Sequence, residues 1–170
     1  TFQGDPVSWK SILAMAPADS LRYKKATLKK LEGLKRKCIK LIPKSSIPHG
    51  HRVYHASVNW VTKFVNGEYL KTKCRACFAG SSYDKSNSDC FAPTAKFASV
   101  LIVLCLAAMM RLFCTGLDYE MAYLNAPLDE LCFMRAPTCM RETNDQGEEL
   151  YWQCETCIYG HPRSGALWAK

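Results

Sequence analysis

Val53-Tyr54-His55-Ala56-Ser57-Val58-Asn59-Trp60-Val61-Thr62-Lys63-Phe64, then Val65-Asn66-Gly67-Glu68, then Tyr69-Leu70-Lys71-Thr72-Lys73-Cys74-Arg75-Ala76-Cys77-Phe78: two runs rich in β-branched and aromatic residues flank a four-residue connector. Asn-Gly between such runs is the strongest short hairpin signal, because both turn positions need positive φ. On the second run Lys71, Lys73 and Arg75 alternate with Leu70, Thr72 and Cys74. A pleated strand repeats every two residues, so the three cations share one face. Such a face reads equally as solubilising charge on an exposed strand or as a grip for phosphate, on which arginine forks and lysine acts as a point charge.

Towards the N-terminus, Pro43 to Gly50 is a turn-rich connector. Before it, leucines at 21, 28, 31 and 34 are interleaved with Lys24, Lys25, Lys29, Lys30, Lys35, Arg36 and Lys37. Spacings of three and four with lysines between predict an amphipathic basic helix over Leu21–Cys38. Its charged side is either a solvated face or a contact for a phosphate backbone.

Towards the C-terminus, Gly80 to Asp89 reads as a loop, and Phe91-Ala92-Pro93-Thr94 opens an apolar helix of roughly residues 95–110 with Thr94 as N-cap. That helix is hydrophobic all round, which predicts burial, and Arg111 leaves the Phe97–Phe113 stretch too short to span a membrane. Leu112 to Leu117 reads as a buried strand ending at Asp118, followed by a short amphipathic turn with Ala122 and Tyr123. A carboxylate at the end of a buried strand is costly unless something pairs with it. Magnesium takes oxygen ligands and is commonly shared between one or two carboxylates and substrate phosphates, so the octet points to phosphoryl or nucleotidyl transfer. In isolation the same aspartate reads as a helix N-cap. Asn125-Ala126-Pro127 breaks the chain, Leu131–Met134 reads as a short strand and Thr143–Glu148 as a polar loop. Leu150–Trp168 holds a strand or helix, a Tyr159-Gly160-His161-Pro162 turn and the start of a last helix.

Helices and strands mix without regular βαβ alternation, internal repeat or linker. The expected architecture is therefore one α+β domain over residues 1–170, with helices on one face of a sheet. The apolar share of 48% fits a globular chain, and a net charge of +8 with pI near 9.0 favours a polyanionic partner. No basic region followed by an apolar stretch marks a signal peptide. The ten cysteines read as small core residues in a reducing compartment, so an intracellular, non-secreted protein is expected. Cys74/Cys77 and Cys154/Cys157 mimic a four-thiolate zinc site, but residues three apart on a strand point to opposite faces. His49, His51 and His55 have no carboxylate or cysteine partner close in sequence and read as surface residues. No phosphate-cradling glycine loop, dinucleotide fingerprint or Ser-His-Asp order is present.

Taken in order, these segments resemble the reverse transcriptase of copia-type retrotransposons. Trp60 to Phe64, Asn66-Gly67 and Lys73-Cys74-Arg75-Ala76 with Gly80 resemble its fingers hairpin. Phe91-Ala92-Pro93-Thr94 resembles its "FAPV" motif, and Leu117–Leu124 with Asn125 and Leu128-Asp129-Glu130 resembles "DVxxAFLNGxLxE". Met134-Arg135-Ala136-Pro137 resembles "YMxxP", and Tyr159-Gly160 with Trp168 resembles "LYGLKQxPRxW". The resemblance runs from about Tyr23 to Lys170. It implies a fingers hairpin plus an incomplete palm sheet packed on helices, with fingers over about 20–92 and partial palm over about 93–170.

It also implies residue roles. Asp118 would be the first catalytic ligand of Mg²⁺, and Tyr119 would lend its backbone carbonyl to the metal site. Tyr123 would stack under the incoming sugar. Lys73 and Arg75 would grip the triphosphate, and Arg163 would stand where the family has a nucleotide-contacting glutamine. The implied partners are an RNA or DNA template-primer and deoxynucleoside triphosphates, in a cytoplasmic particle or the nucleus, with no membrane. The chain departs from the pattern at Tyr119, Cys74 and Arg163. The "YxDD" hairpin would lie beyond Lys170, so a fragment unable to polymerise by itself is expected. The rival readings are a non-catalytic basic nucleic-acid-binding remnant and a small zinc-stabilised module.

Overall fold

Asn66 and Gly67 take φ of 52° and 82°, and the chain reverses there between β2 (Val53–Val65) and β3 (Glu68–Phe78). The computed structural model describes residues 4–80, 83 and 90–170; most of the Gly80–Asp89 loop lies outside them. β2 and β3 pair antiparallel from Val65↔Glu68 through Trp60↔Cys74 to Ala56↔Phe78, with one irregularity between Lys63 and Phe64. The period-two reading holds. Cys74, Ala76 and Phe78 are buried while Lys71, Lys73 and Arg75 stand exposed on the other face.

β1 (Ile39–Pro43), β4 (Pro127–Arg135) and β5 (Leu150–Thr156) complete a mixed five-stranded sheet in the order β1-β5-β4-β2-β3. β4 joins the hairpin by a short parallel pairing, Val53–His55 against Phe133–Arg135, and β5 runs antiparallel between β4 and β1. Strands from before and after residue 92 thus share one sheet. A boundary at about residue 92 does not divide the strands: β4 and β5 return to the sheet that carries the hairpin. Among the described residues the mixture of helices and strands is the expected α+β class.

Helix α2 (Pro17–Lys37) packs on this sheet, preceded by the short α1 (Trp9–Leu13), whose Ser8 and Ser11 form a reciprocal capping box. The buried stripe of α2 differs from the leucine pattern. Leu31 and Leu34 enter the core, but Leu21 and Leu28 are about half exposed, and Ser20 and Thr27 take the inward positions. The reason is a specific polar partner. Trp60 donates its indole N–H to Thr27 Oγ1 at 2.9 Å, and Thr27 donates in turn to the Tyr23 carbonyl at 2.8 Å. Trp9 stacks on the outer side of Trp60 at 6.2 Å between centroids. A Thr27→Val substitution keeps the shape but leaves the buried indole N–H without an acceptor. It should lower unfolding stability by about 1–3 kcal/mol, read from urea denaturation.

Three expectations are overturned. Helix α3 (Phe97–Met109) forms where the apolar run predicts it, but only Ala107 is buried; Phe97, Ile102, Val103 and Met109 are largely exposed. Its N-cap is Lys96 rather than Thr94, with no side-chain cap. Leu112–Leu117 is not a buried strand: residues 112–119 form no helix or strand, and Leu112, Phe113 and Leu117 are exposed. Apolar composition states a demand for burial without naming the surface that meets it, and the described residues place none there. No helix among the described residues is long and apolar enough to cross a membrane.

Candidate active site

The site is organised by one turn. β5 ends at Thr156, and the chain reaches Tyr159, whose carbonyl accepts a hydrogen bond from the Phe78 N–H at the end of β3, at 2.7 Å. Gly160 follows with φ of +84°, so close to β3 that a Cβ would lie 2.6 Å from the Phe78 carbonyl oxygen and 3.5 Å from Cys77 Cβ. Only glycine combines that dihedral with that approach. The turn therefore fixes Tyr159 at the end of β3.

Three further elements converge on that ring. Tyr123, on the 3₁₀ turn Ala122–Asn125, meets it edge-on at 5.8 Å. Lys30 of α2 holds its ammonium 5.4 Å from the ring centroid, within cation–π range. Burial raises the Tyr159 phenol pKa first; the charge of Arg75 opposes the shift, while Tyr123 and Asp118 add to it. A cation from β3 and a carboxylate from the segment after α3 thus act on the same phenol.

Asp118 lies in that exposed segment and caps no helix: the 3₁₀ turn is preceded by Met121, in the left-handed region at φ 57° and without a side-chain cap. Leu124 anchors the turn in the core, and the Asn125 amide N–H₂ donates to the carbonyls of Glu120 and Met121 at 3.4 and 3.3 Å. The Tyr119 ring stands edge-on to Trp168 at 5.5 Å. Among the described residues no group of three His, Cys, Asp or Glu side chains is placed to hold a metal ion.

Residues 41–170 match the model of the family described as reverse transcriptase (RNA-dependent DNA polymerase). The chain belongs to the reverse transcriptase family. No curated protein and no solved structure matches it.

In this reverse transcriptase chain the residues singled out by sequence do not all gather. Tyr123 meets Tyr159 edge-on, the charges of Arg75 and Asp118 bear on the Tyr159 phenol in opposite senses, and Lys73 shares the Arg75 face. Arg163 is engaged elsewhere. Its Nη1 and Nη2 donate to the two Asp129 carboxylate oxygens at 2.6 and 2.7 Å, tying the start of α4 (Ser164–Trp168) to β4. A fork closed on a carboxylate is not free to read a nucleotide.

That pair has a pH signature. The Arg163 hydrogen bond holds the Asp129 carboxyl below its ordinary 3.8. A depressed carboxyl pKa stabilises the fold above the unfolded value, and the benefit disappears as pH falls through the folded one. Arg163→Gln should therefore be less stable than the parent at neutral pH, with the two denaturation midpoints converging below about pH 4. The difference stays small because Asp129 is half exposed.

On α2, Lys25, Lys29, Arg36 and Lys37 are exposed and Lys24 partly so, while Lys35 pairs with Glu142. Lys30 turns inward, its ammonium pKa lowered by burial. Sequence reading counted it with the solvated lysines, although its spacing from Thr27 and Leu34 put it on their face. The histidines His49, His51 and His55 are exposed, with His51 edge-on to Phe133. All ten cysteines are free thiols, and the two Cys-x-x-Cys pairs assemble no zinc site among the described residues.

Proposed function

We propose that this chain carries the fingers hairpin and the first palm carboxylate of an RNA-directed DNA polymerase of copia type. The observation that supports it best is the edge-on contact of Tyr123 with Tyr159, a phenol on which the charges of Arg75 and Asp118 both act, held by the turn docked at the end of β3. Lys73 and Arg75 bind the triphosphate of an incoming deoxynucleoside triphosphate. Tyr123 lies under its sugar. Asp118 and the Tyr119 carbonyl offer the oxygen donors that suit magnesium, a cation normally completed by water and substrate phosphates. When bound, magnesium neutralises phosphate charge and aligns the phosphates. One carboxylate with one carbonyl falls short of a two-metal centre, so residues 1–170 alone should bind nucleotide without extending a primer on an RNA template. Extension by the purified chain would refute that.

The exposed cations of α2 contact the phosphate backbone of template-primer in this reading. Replacing Lys25 and Lys29 with alanine should weaken RNA binding similarly for all sequences. It should also reduce the slope of log K against log salt by up to about two, seen in fluorescence anisotropy titrations.

The deciding experiment titrates the chain with a labelled deoxynucleoside triphosphate in magnesium, against Asp118→Asn. Weaker nucleotide binding in the variant, with RNA binding unchanged, supports the polymerase reading. Equal nucleotide binding in both proteins would leave a basic nucleic-acid-binding remnant as the better account.

A further inference from the structure

The most unusual cluster outside the proposed site lies inside the sheet. Cys132 of β4 and Cys154 of β5 are direct cross-strand partners in the antiparallel pairing, exposed only 2% and 5%. Directly opposed residues of an antiparallel pair have Cα atoms about 4.5–5.5 Å apart, inside the 4.4–6.8 Å range of disulfides. Each thiol shifts the ionisation of the other, and the Cys154 thiol donates to the Met134 sulfur at 3.4 Å.

A buried base stands beside them. The His161 side chain is 1% exposed and acts to lower the Cys132 thiol pKa. Its Nδ1 accepts the Arg163 N–H at 3.3 Å, which leaves the proton on Nε2. Nε2 has no hydrogen-bond partner within ordinary limits and lies 3.5 Å from Glu130 Oε1, which in turn accepts from the Tyr83 hydroxyl. A thiol beside an imidazole held near a carboxylate is the environment that favours thiolate. The ionisable groups facing the pair are therefore His161, Glu130, Cys157 and, from the C-cap of α2, Cys38.

We propose that Cys132 and Cys154 form an oxidisable dithiol, closed to a disulfide by a small neutral peroxide. Cys132 is the attacking sulfur. Cys154, reinforced by His161, draws its thiol pKa down against the effect of burial, whereas that of Cys154 is raised. The Cys132 sulfur, its thiolate character favoured by the neighbouring His161, attacks a peroxide oxygen; the O–O bond breaks, and the departing hydroxide takes the Cys132 proton and leaves as water. The product is a sulfenic acid. Cys154 then attacks that sulfur, the S–O bond breaks, and the departing hydroxide takes the Cys154 proton to leave as the second water. Two thiols lose two electrons, and one hydrogen peroxide becomes two waters. The bond would rivet β4 to β5, the strand that leads into the Tyr159–Gly160 turn.

The test uses the unmodified chain. The reduced protein is treated with millimolar hydrogen peroxide while folded, quenched with catalase, denatured in iodoacetamide and digested without reductant for peptide mapping by mass spectrometry. The expected product is one peptide pair joined through Cys132 and Cys154, two hydrogens lighter than its free thiols and released by dithiothreitol. The oxidised protein should melt several degrees higher than the reduced one, as a cross-link restricts the unfolded chain. His161→Asn, which keeps both thiols, should slow formation of the linked pair at least several-fold. Recovery of Cys132 and Cys154 as alkylated thiols, under peroxide that oxidises the exposed Cys105 and Cys114, would overturn the proposal. So would a dominant link to Cys38, or the linked pair arising only in denatured protein.

Discussion

Gly160→Ala should lose roughly 2–4 kcal/mol of unfolding stability. A non-glycine residue held in a left-handed or otherwise sparse region of φ/ψ costs about 1–3 kcal/mol. Here the added Cβ would also meet the Phe78 carbonyl oxygen at 2.6 Å and the Phe78 nitrogen at 3.3 Å, both backbone atoms of a paired strand. Backbone in a sheet does not step aside cheaply, so the turn lifts and the Phe78 N–H to Tyr159 bond goes with it, adding about 0.5–1.5 kcal/mol. Against a typical total of 5–15 kcal/mol this is a severe loss. Gly147 provides the control: it too has positive φ, 80°, but open space where a Cβ would go. Gly147→Ala should show the dihedral cost alone. Urea midpoints at constant m-value separate the two, and equal losses would mean that the Tyr159–Gly160 turn is not docked on β3. Because that turn sets Tyr159, Gly160→Ala should also weaken nucleotide binding under conditions where the variant remains folded.

The second large effect is on affinity. Lys73→Ala combined with Arg75→Ala should weaken binding of a magnesium–deoxynucleoside triphosphate by about 100-fold, measured by fluorescence titration. Each lost charge-assisted contact is worth about 1.5–3 kcal/mol, and 1.4 kcal/mol is tenfold in a dissociation constant. Arg75→Lys should recover part of the loss, since lysine keeps the charge but not the fork. Both side chains are exposed on the hairpin, so stability should change by little, which separates a binding role from a folding one. A double variant that binds nucleotide as tightly as the parent would remove the hairpin from the proposed mechanism.

The location of charge in these experiments shows where local sequence suffices. Asn66-Gly67 set the hairpin because its dihedral demand is met within four residues, and the alternation of Lys71, Lys73 and Arg75 followed from the strand period alone. The last turn and the start of α4 were legible for the same reason. Asp118 was found by its neighbours in sequence, but its setting was not: an exposed segment replaces the buried strand that Leu112–Leu117 suggested. Lys30 and Arg163 show the converse. One was counted as a solvated lysine and packs over Tyr159; the other was assigned to nucleotide and is closed on Asp129.

By itself, then, the order of residues determined the hairpin, the basic helix and the apolar helix, the side of β3 that carries charge, and the family to which residues 41–170 belong. Tertiary structure alone decided that β4 slips in parallel beside β2, that Thr27 rather than Leu28 meets the core, and that Tyr123 meets Tyr159 under the charges of Arg75 and Asp118. The physical reason is range. Backbone dihedrals and side-chain periodicity are satisfied within a few residues, whereas pairing, burial and the field at one phenol depend on partners dozens of positions away.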